Sequence, residues 1–273
     1  MIDLHLHSRA SDGALTPAEL VQLAAARGVR LLALTDHDCT DGLAEADTAA
    51  HAAGIEFVPG VEISASWEHH TLHIVGLYID AENPQLQAGL ARLREIRVTR
   101  AQEIGRRLAA RGIADAHAGA QRLAGGQVVT RSHFAQYLCE SGHARTLNEA
   151  FRKFLGRGKP GHVATMWASL EESIGWIHAA GGKAVLAHPL RYDMTRSRLM
   201  RALAAFRQAG GDAMEVICGR DNHDATATAA HYAGRFGLAA SVGSDFHNPA
   251  TPWNLPGIEA ALPDNLTPVW QCS

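Results

Sequence analysis

The first residues of the chain place two imidazoles where they can bind the same ion. The sequence opens Met1-Ile2 and continues Asp3-Leu4-His5-Leu6-His7. Side chains alternate between the two faces of a β-strand, so His5 and His7 share one face and the two leucines share the other. Two imidazoles on one strand face supply half of a typical metal site.

More imidazoles and carboxylates lie at or near the ends of other predicted strands. They are Asp36, His37, Asp38, Glu62, His73, His188, Asp245 and His247. Any one of these histidines, taken alone, is more simply a core or surface residue. The recurrence of the same ligand types after strand upon strand favours a shared metal centre.

The candidate ligands are nitrogen and oxygen donors without a thiolate, a set that suits Mn²⁺, Zn²⁺, Fe²⁺ or Co²⁺. One ion takes about 4–6 ligands, so a set this large predicts two or three ions. Ions ~3.5–4 Å apart can hold a hydroxide between them and clamp a phosphoryl group during its displacement. Glu62 is the candidate bridging carboxylate. Asp38 and Ser244 either orient imidazoles from outside the ligand set or serve only as turn residues.

The elements that must position these residues alternate between strand and helix. Helices are predicted from a capping box at Thr16-Pro17-Ala18-Glu19 to Gly28, and over 42–53, 169–180, 196–209 and 225–236. Strands are predicted over 2–7, 29–35, 56–64, 71–79, 183–187, 213–218 and 238–243. This rhythm predicts parallel strands with helices outside, and a β/α barrel gathers its chemistry at the carboxyl ends of its strands.

The alternation breaks at Asn83-Pro84, where leucines and isoleucines at helical spacing predict a long helix over 85–111. Shorter helices are predicted over 130–140 and 146–154. Residues 83–160 hold 14 Lys/Arg and 5 Asp/Glu, whereas the remainder holds 11 and 23. We therefore predict a barrel formed by 1–82 and 163–273, and a basic helical insertion, 83–162, that covers the site as a substrate lid. Such a basic segment suits phosphate or nucleic acid.

Composition excludes several classes of protein. The chain has 273 residues, 47% of them hydrophobic, as in a globular protein. No apolar run approaches the ~20 residues that span a bilayer, so no membrane partner is expected. The four cysteines are scattered without a Cys-x-x-Cys pair, which predicts a reduced, cytoplasmic setting. Nothing in the sequence indicates an obligate protein partner.

The motif set resembles that of the PHP (polymerase and histidinol phosphatase) family of phosphoesterases. The resemblance rests on Asp3–His7, Thr35–Asp38, Gly60–Glu62, His73, Ala187–Pro189 and Ser244–His247. It implies an α/β fold, a distorted (β/α)7 barrel with a helical insertion domain, that binds two or three divalent ions, most often Mn²⁺. It implies metal ligands at His5, His7, Asp12, His37, Glu62, His73, His188, Asp245 and His247. Among these, Asp12, His37, Glu62 and Asp245 are the expected catalytic residues.

One position separates branches of this family. Members that act on histidinol phosphate usually carry a histidine where this chain has Asp12 in Ser11-Asp12-Gly13. The sequence instead resembles the branch that contains nucleoside 3′,5′-bisphosphate phosphatases and 5′-to-3′ exonucleases of small RNAs. Asp12 is then a ligand of a third ion or an acid toward the leaving group. The plainer alternative is a turn before Gly13.

The same branch carries a motif similar to Thr130-Arg131-Ser132-His133-Phe134, with proline common at the position of Ser132. A helix start with Arg131, Ser132 and His133 can hold a phosphate, and Phe134 either stacks on a base or packs. Arg191, His223 and, more weakly, Lys159 are further candidate contacts to substrate.

The resemblance implies hydrolysis of the 3′-phosphate of nucleoside 3′,5′-bisphosphates. A 5′-to-3′ exoribonuclease on short RNA is the first alternative; the basic insertion favours it, and the pI of about 6.6 argues against a long nucleic-acid groove. A phosphomonoesterase of small metabolites is the second, and a non-catalytic binding module is the third, disfavoured because every expected ligand position is filled.

Overall fold

A computed structural model describes residues 1–250, 254–259 and 261–272. Its strands are β1 (Ile2–Asp3), β2 (Leu31–Leu34), β3 (Glu56–Trp67), β4 (His70–Leu77), β5 (Ala168–Ser169), β6 (Lys183–Leu186), β7 (Ala213–Cys218) and β8 (Ala239–Gly243). Its α-helices are α1 (Pro17–Ala26), α2 (Leu43–Ala53), α3 (Pro84–Ala109), α4 (Ala116–Ala124), α5 (Arg131–Glu140), α6 (Leu147–Ala150), α7 (Leu170–Ala179), α8 (Arg196–Gln208) and α9 (His223–Phe236). A π-helical turn, Phe151–Leu155, continues α6.

Seven strands form a nearly closed barrel in the order β1-β2-β3-β4-β6-β7-β8, and β5 pairs with β3. The ring closes just beyond β1 and β8, where the amide of Leu4 donates to the carbonyl of Val242 (3.1 Å) and Leu6 pairs with Phe246 in parallel. The predicted α/β barrel is confirmed. The predicted strand over 2–7 is shorter, because only Ile2 and Asp3 pair regularly with β2.

One strand runs against the predicted direction. β4 is antiparallel to both of its neighbours, β3 and β6, while the other main pairings around the barrel are parallel. A tight turn at Glu68 and His69 joins β3 to β4, so no helical crossover is available to make that pair parallel. The expectation of uniformly parallel strands is therefore wrong for β4.

Local signals in the sequence act as expected at two helix starts. The Thr16 side chain accepts from the amide of Glu19 and the Glu19 carboxylate accepts from the amide of Thr16, which completes the predicted capping box. Ser169 and Glu172 form the same reciprocal pair at the start of α7. No helix in the described part of the chain is long and apolar enough to cross a bilayer.

The segment 83–162 has its own apolar core. Buried residues such as Ile104, Leu108, Phe134 and Leu138 form a cluster distinct from the main core of the barrel. α3 joins the two, since Leu86 and other residues of its first half pack in the main core. The helix α4 was not predicted, because its buried face is built from alanine and glycine rather than large apolar residues.

Candidate metal centre

Glu62, in the middle of β3, lies at the centre of a ring of imidazoles. Its carboxylate oxygens lie 2.7 Å from Nδ1 of His37 and 2.8 Å from Nδ1 of His73. Three further imidazole nitrogens lie 3.3–3.4 Å away, those of His5, His7 and His188. Glu62 is buried, and its one carboxylate joins five imidazoles that come from four separate segments of the chain, because His5 and His7 share the first.

Two other carboxylates complete the cluster. Oδ1 of Asp245 lies 3.4 Å from Nε2 of His7 and 3.6 Å from Nε2 of His5. Oδ1 of Asp12 lies 3.3 Å from Nε2 of His247. The structure thus brings together all nine residues predicted as ligands, which are His5, His7, Asp12, His37, Glu62, His73, His188, Asp245 and His247.

The donor atoms fall into groups of three or four that lie close enough together to contact one cation. Three groups have ligand atoms within 4.8 Å of one another: His7, Asp12, His37 and His247; His5, His7 and Asp245; and His37, Glu62 and His73. Four buried donor atoms in these groups lack a hydrogen-bond partner within the described residues: Nδ1 of His7, Oδ1 of Asp12, Nδ1 of His37 and Oε2 of Glu62. Nδ1 of His37 and Oε2 of Glu62 lie 2.7 Å apart, but they are not aligned for a hydrogen bond. Buried, unpartnered nitrogen and oxygen donors fit divalent cations.

The charges in the metal-free cluster depend on one another. Burial alone would raise the pKa of Glu62, but the surrounding imidazoles, His73 foremost, hold it well below its ordinary value. Burial, together with the charge of His247, lowers the pKa of His7 to about 3. Burial would also lower the pKa of His247, but Asp12 outweighs it and raises that pKa to about 10. Without metal, protons on some imidazoles therefore compensate the buried carboxylates.

Three residues at the cluster hold backbone conformations that non-glycine residues rarely adopt. The φ angles are +33° at His188, +54° at Asp245 and +49° at Asp38. His188 also precedes Pro189, a position that normally favours extended backbone. Each residue lies in the loop that follows a strand, β6, β8 and β2 respectively, and such strain concentrates at functional sites.

The sequence analysis missed Glu215, which supports the ring from behind. Oε1 of Glu215 lies 2.6 Å from Nδ1 of His5, and Oε2 accepts from the amide of His188 at 2.6 Å. The contact at Nδ1 leaves Nε2 of His5 directed at Glu62 and His7. A signal was present, because Glu215 is the one charged residue in the otherwise apolar run Ala213–Cys218 of β7.

Asp36, Asp38 and Ser244 flank predicted ligands in the sequence, but they belong to none of the three groups of donor atoms. Asp36 accepts from the amide and hydroxyl of Ser8 and from the hydroxyl of Ser11, so it fixes the loop that carries Asp12. Asp38 accepts from Nε of Arg97 at 2.6 Å. Ser244 donates its amide to Asp3, and its buried hydroxyl has no partner within the described residues.

A small cavity adjoins the cluster on the side of the insertion. Asp12, His37 and His73 form one wall. Side chains of the insertion form the other, including the predicted contacts Arg131 and Ser132 and two arginines that sequence analysis did not single out, Arg97 and Arg100. These arginines repeat at i and i+3 on α3, a spacing that places both on one helix face.

The other predicted substrate contacts have different surroundings. His133 is buried, and its Nδ1 accepts from the amide of Thr130. Phe134 is 0% exposed and packs in the core of the insertion, so of the two expectations for it the structure supports packing and gives no face for a base. Arg191 donates to Asp245 at 3.0 Å and to the carbonyl of Cys218 at 2.8 Å. His223 is 94% exposed at the start of α9 and lines a different cleft.

Comparison with known proteins agrees with this site. A curated relative from Chromobacterium violaceum is 51% identical over 271 residues, which cover 99% of this chain and 95% of the relative, and it is named 3′,5′-nucleoside bisphosphate phosphatase. A relative from Haemophilus influenzae is 46% identical over 270 residues, 98% of this chain and 97% of its own, and it is named 5′-3′ exoribonuclease.

A solved structure matches almost the whole chain, and a family model matches most of it. A solved structure described as an amidohydrolase from Chromobacterium violaceum, with bound sulfate and no metal, superposes with a TM-score of 0.94 at 51% identity. The alignment covers 98% of this chain and 94% of that one. The family model of the PHP domain matches residues 3–216. The chain therefore belongs to the PHP domain family.

Proposed function

We propose that the protein is a metal-dependent phosphatase that removes the 3′-phosphate from nucleoside 3′,5′-bisphosphates. The products are nucleoside 5′-phosphate and inorganic phosphate. The observation that carries this proposal is the carboxylate of Glu62 among five imidazoles, next to a cavity whose opposite wall is cationic. The relative of 51% identity that is named for this reaction supports it.

The cofactor in this proposal is a set of two or three divalent ions, and we propose Mn²⁺ as the ion. When bound, such ions activate water and polarise the phosphoryl group. The three groups around His7, His5 and Glu62 would hold them, with Glu62, Asp245 and Asp12 as the carboxylate donors. His188 belongs with the Glu62 group, since its Nε2 lies 3.4 Å from that carboxylate.

The cavity wall supplied by the insertion would hold the second phosphate of the substrate. Arg131 and Arg100 face it as cations, and Ser132 offers a hydroxyl and an amide at the start of α5. His133 would act mainly by fixing the first turn of α5 through Thr130. Arg191 would hold Asp245 in place, while the exposed His223 has no role at this site.

The division of the chain follows from the same contacts. We infer that 1–82 and 163–273 form the metal-binding barrel and that 83–162 forms the substrate lid. The separate apolar core of the insertion supports this division. A cytoplasmic setting is part of the proposal, and the four free cysteines suit a reducing compartment.

A second candidate function is 5′-to-3′ removal of nucleotides from short RNA. The name of the Haemophilus influenzae relative and the excess of arginine in the insertion favour it. Assaying a mononucleotide bisphosphate and an RNA oligonucleotide in parallel across a salt series separates the two functions. Faster turnover of the oligonucleotide by orders of magnitude, with a steep loss at high salt, would assign the nuclease.

The decisive variant for the proposed chemistry is Glu62→Gln. It removes charge from the centre of the cluster, so turnover should fall by more than about a hundredfold, because even partners outside the ligand set are worth 10- to 100-fold. Glu56→Gln, at the exposed start of the same strand, is the matched control and should behave as wild type. Near-normal turnover by Glu62→Gln with its metal content unchanged would exclude this mechanism.

A further inference from the structure

The cavity beside the metal centre adjoins a second, outer groove. Arg100, Arg131 and Thr71 line both spaces. Beyond them the outer groove is lined by Arg157 and His162, among others. The two shared arginines therefore stand at a junction, with the cluster on one side and the groove on the other.

The cations at this junction form no salt bridge in the described part of the chain, although the charges of Asp38 and Asp12 act on Arg100 and Arg131. The guanidinium of Arg100 lies over the ring of Trp167 at 5.2 Å, and its buried Nε has no hydrogen-bond partner there. Burial, together with the charge of Arg131, lowers the pKa of Arg100 well below its ordinary value. Arg131 lies over the ring of Phe151 at 5.8 Å. A buried cation without a partner is costly, so an anion bound at this point is stabilised strongly.

The outer groove continues the positive charge. Arg157 is exposed in a loop between Gly156 and Gly158, and it forms no ion pair with any residue that the structure describes. Burial and then the charge of Arg131 lower the pKa of His162, and Arg157 adds to this effect. Arg157 also contributes to lowering the pKa of His70, after burial and Arg198.

Acidic groups near the groove do not cancel this charge. Glu68 lines the groove, but its carboxylate is already 3.4 Å from Nη2 of Arg201 and 3.9 Å from Nε of Arg198. Asp193 acts on the pKa of His70, while Asp12 and Asp38, whose charges act on Arg131 and Arg100, do not line the groove. The groove beyond Arg100 and Arg131 thus has cations to spare for a further anionic group.

We propose that the enzyme also accepts 3′-phosphorylated nucleotides whose 5′ end carries a diphosphate, with the terminal phosphate bound in the outer groove by Arg157 and His162. This inference rests on the proposed function, since it places the 3′-phosphate at the metal centre and the first 5′-phosphate between Arg100 and Arg131. The reaction is unchanged. The oxygen of water bonds to the 3′ phosphorus, the bond from that phosphorus to the 3′ oxygen breaks, and the leaving oxygen takes a proton. The products are nucleoside 5′-diphosphate and inorganic phosphate.

The test uses the two reaction products as probes, because neither carries a 3′-phosphate to be hydrolysed. Calorimetry on the metal-loaded enzyme should show that adenosine 5′-diphosphate binds more tightly than adenosine 5′-monophosphate. Arg157→Gln should weaken binding of the diphosphate about fivefold, the scale of one exposed ion pair, and leave the monophosphate unchanged. Arg152→Gln, another exposed cation of the insertion that does not line the groove, should change neither.

Turnover provides the second readout. Wild-type kcat/KM for the 3′-phosphorylated 5′-diphosphate should lie within about tenfold of the value for the 3′,5′-bisphosphate, and Arg157→Gln should lower only the former, through KM. Equal affinity for the two products in wild type, or equal effects of Arg157→Gln on both, would overturn the inference. If neither 3′-phosphate is hydrolysed, the proposed function fails, while the difference in product binding still decides the role of the groove.

Discussion

The hydroxyl of Thr130, at the start of α5, donates to Oδ2 of Asp12 at 3.0 Å. Oγ1 of Thr130 also accepts a hydrogen bond from the amide of Ser132 and so caps the helix. This bond ties the insertion to the cluster and leaves Oδ1 of Asp12 facing His247. Thr130 is therefore a positioning residue for a candidate ligand as well as a helix cap.

Thr130→Val should remove both the hydrogen bond to Asp12 and the helix cap. A hydrogen bond to a buried charged group is worth about 1.5–3 kcal/mol, so we expect kcat to fall about tenfold or more. Loss of the cap should cost about 1 kcal/mol of stability. Thr130→Ser keeps the hydroxyl and should retain near-normal kcat, measured beside thermal unfolding of both variants. A loss of stability in Thr130→Val without any loss of kcat would mean that Thr130 only caps the helix.

Glu215 should matter through His5 rather than through substrate. Glu215→Leu removes the acceptor at Nδ1 of His5, and we expect a 10- to 100-fold loss of metal affinity, the usual scale for such a partner. Glu215→Gln keeps an acceptor and should lose much less. Metal titration by calorimetry measures both. Unaltered affinity in Glu215→Leu would show that the ring of His5 is held by packing alone.

Metal binding should release protons. In the metal-free protein Asp12 raises the pKa of His247 to about 10, against the opposing effect of burial, so His247 is protonated at neutral pH. A cation must displace that proton, and its affinity should rise with pH by about tenfold per unit for each proton displaced. Titration with Mn²⁺ in buffers of different ionisation enthalpy counts the protons. His247→Asn should reduce the count by about one, and an unchanged count would contradict this account.

Phe134 should be a core residue. Because it is 0% exposed in the insertion, Phe134→Ala should cost about 3–5 kcal/mol of unfolding free energy, and Phe134→Leu about 1.5 kcal/mol or less. Denaturant unfolding measures both variants. KM for a nucleoside bisphosphate should stay near the wild-type value in Phe134→Leu. A selective rise of KM in that variant would instead indicate that the ring contacts the base.

Several candidate ligands could be predicted from the sequence because a strong local signal accompanies them, whereas Asp12 was expected only from the family resemblance. The alternation around His5 and His7, and the strand runs before His37 and His188, place side chains at one end of the sheet with no knowledge of pairing. The capping boxes at Thr16 and Ser169 fixed two helix starts in the same local way.

What the sequence did not reveal depends on contacts between distant segments. The reversal of β4 follows from a turn at Glu68 and His69 that has no glycine to mark it. Glu215 lies 210 residues from His5, and its role appears only when β7 is placed in the barrel. Arg100 resembled any solvated arginine of a basic helix until its burial over Trp167 was known.

The direction of β4 has a consequence for how the active site accommodates its substrate. Because β4 runs down the barrel, α3 starts at the far end and runs back antiparallel to α7, with Asn83 bonded to Ala179 and Arg92 to Glu172, over a helix of 26 residues, about 39 Å. The first half of this continuous helix thus packs in the core of the barrel, and its second half packs in the core of the insertion. A hinge motion of the insertion relative to the barrel would require a break in this helix. We therefore expect the insertion to keep one position over the cluster, and substrates to be selected by whether they fit an entrance of fixed width.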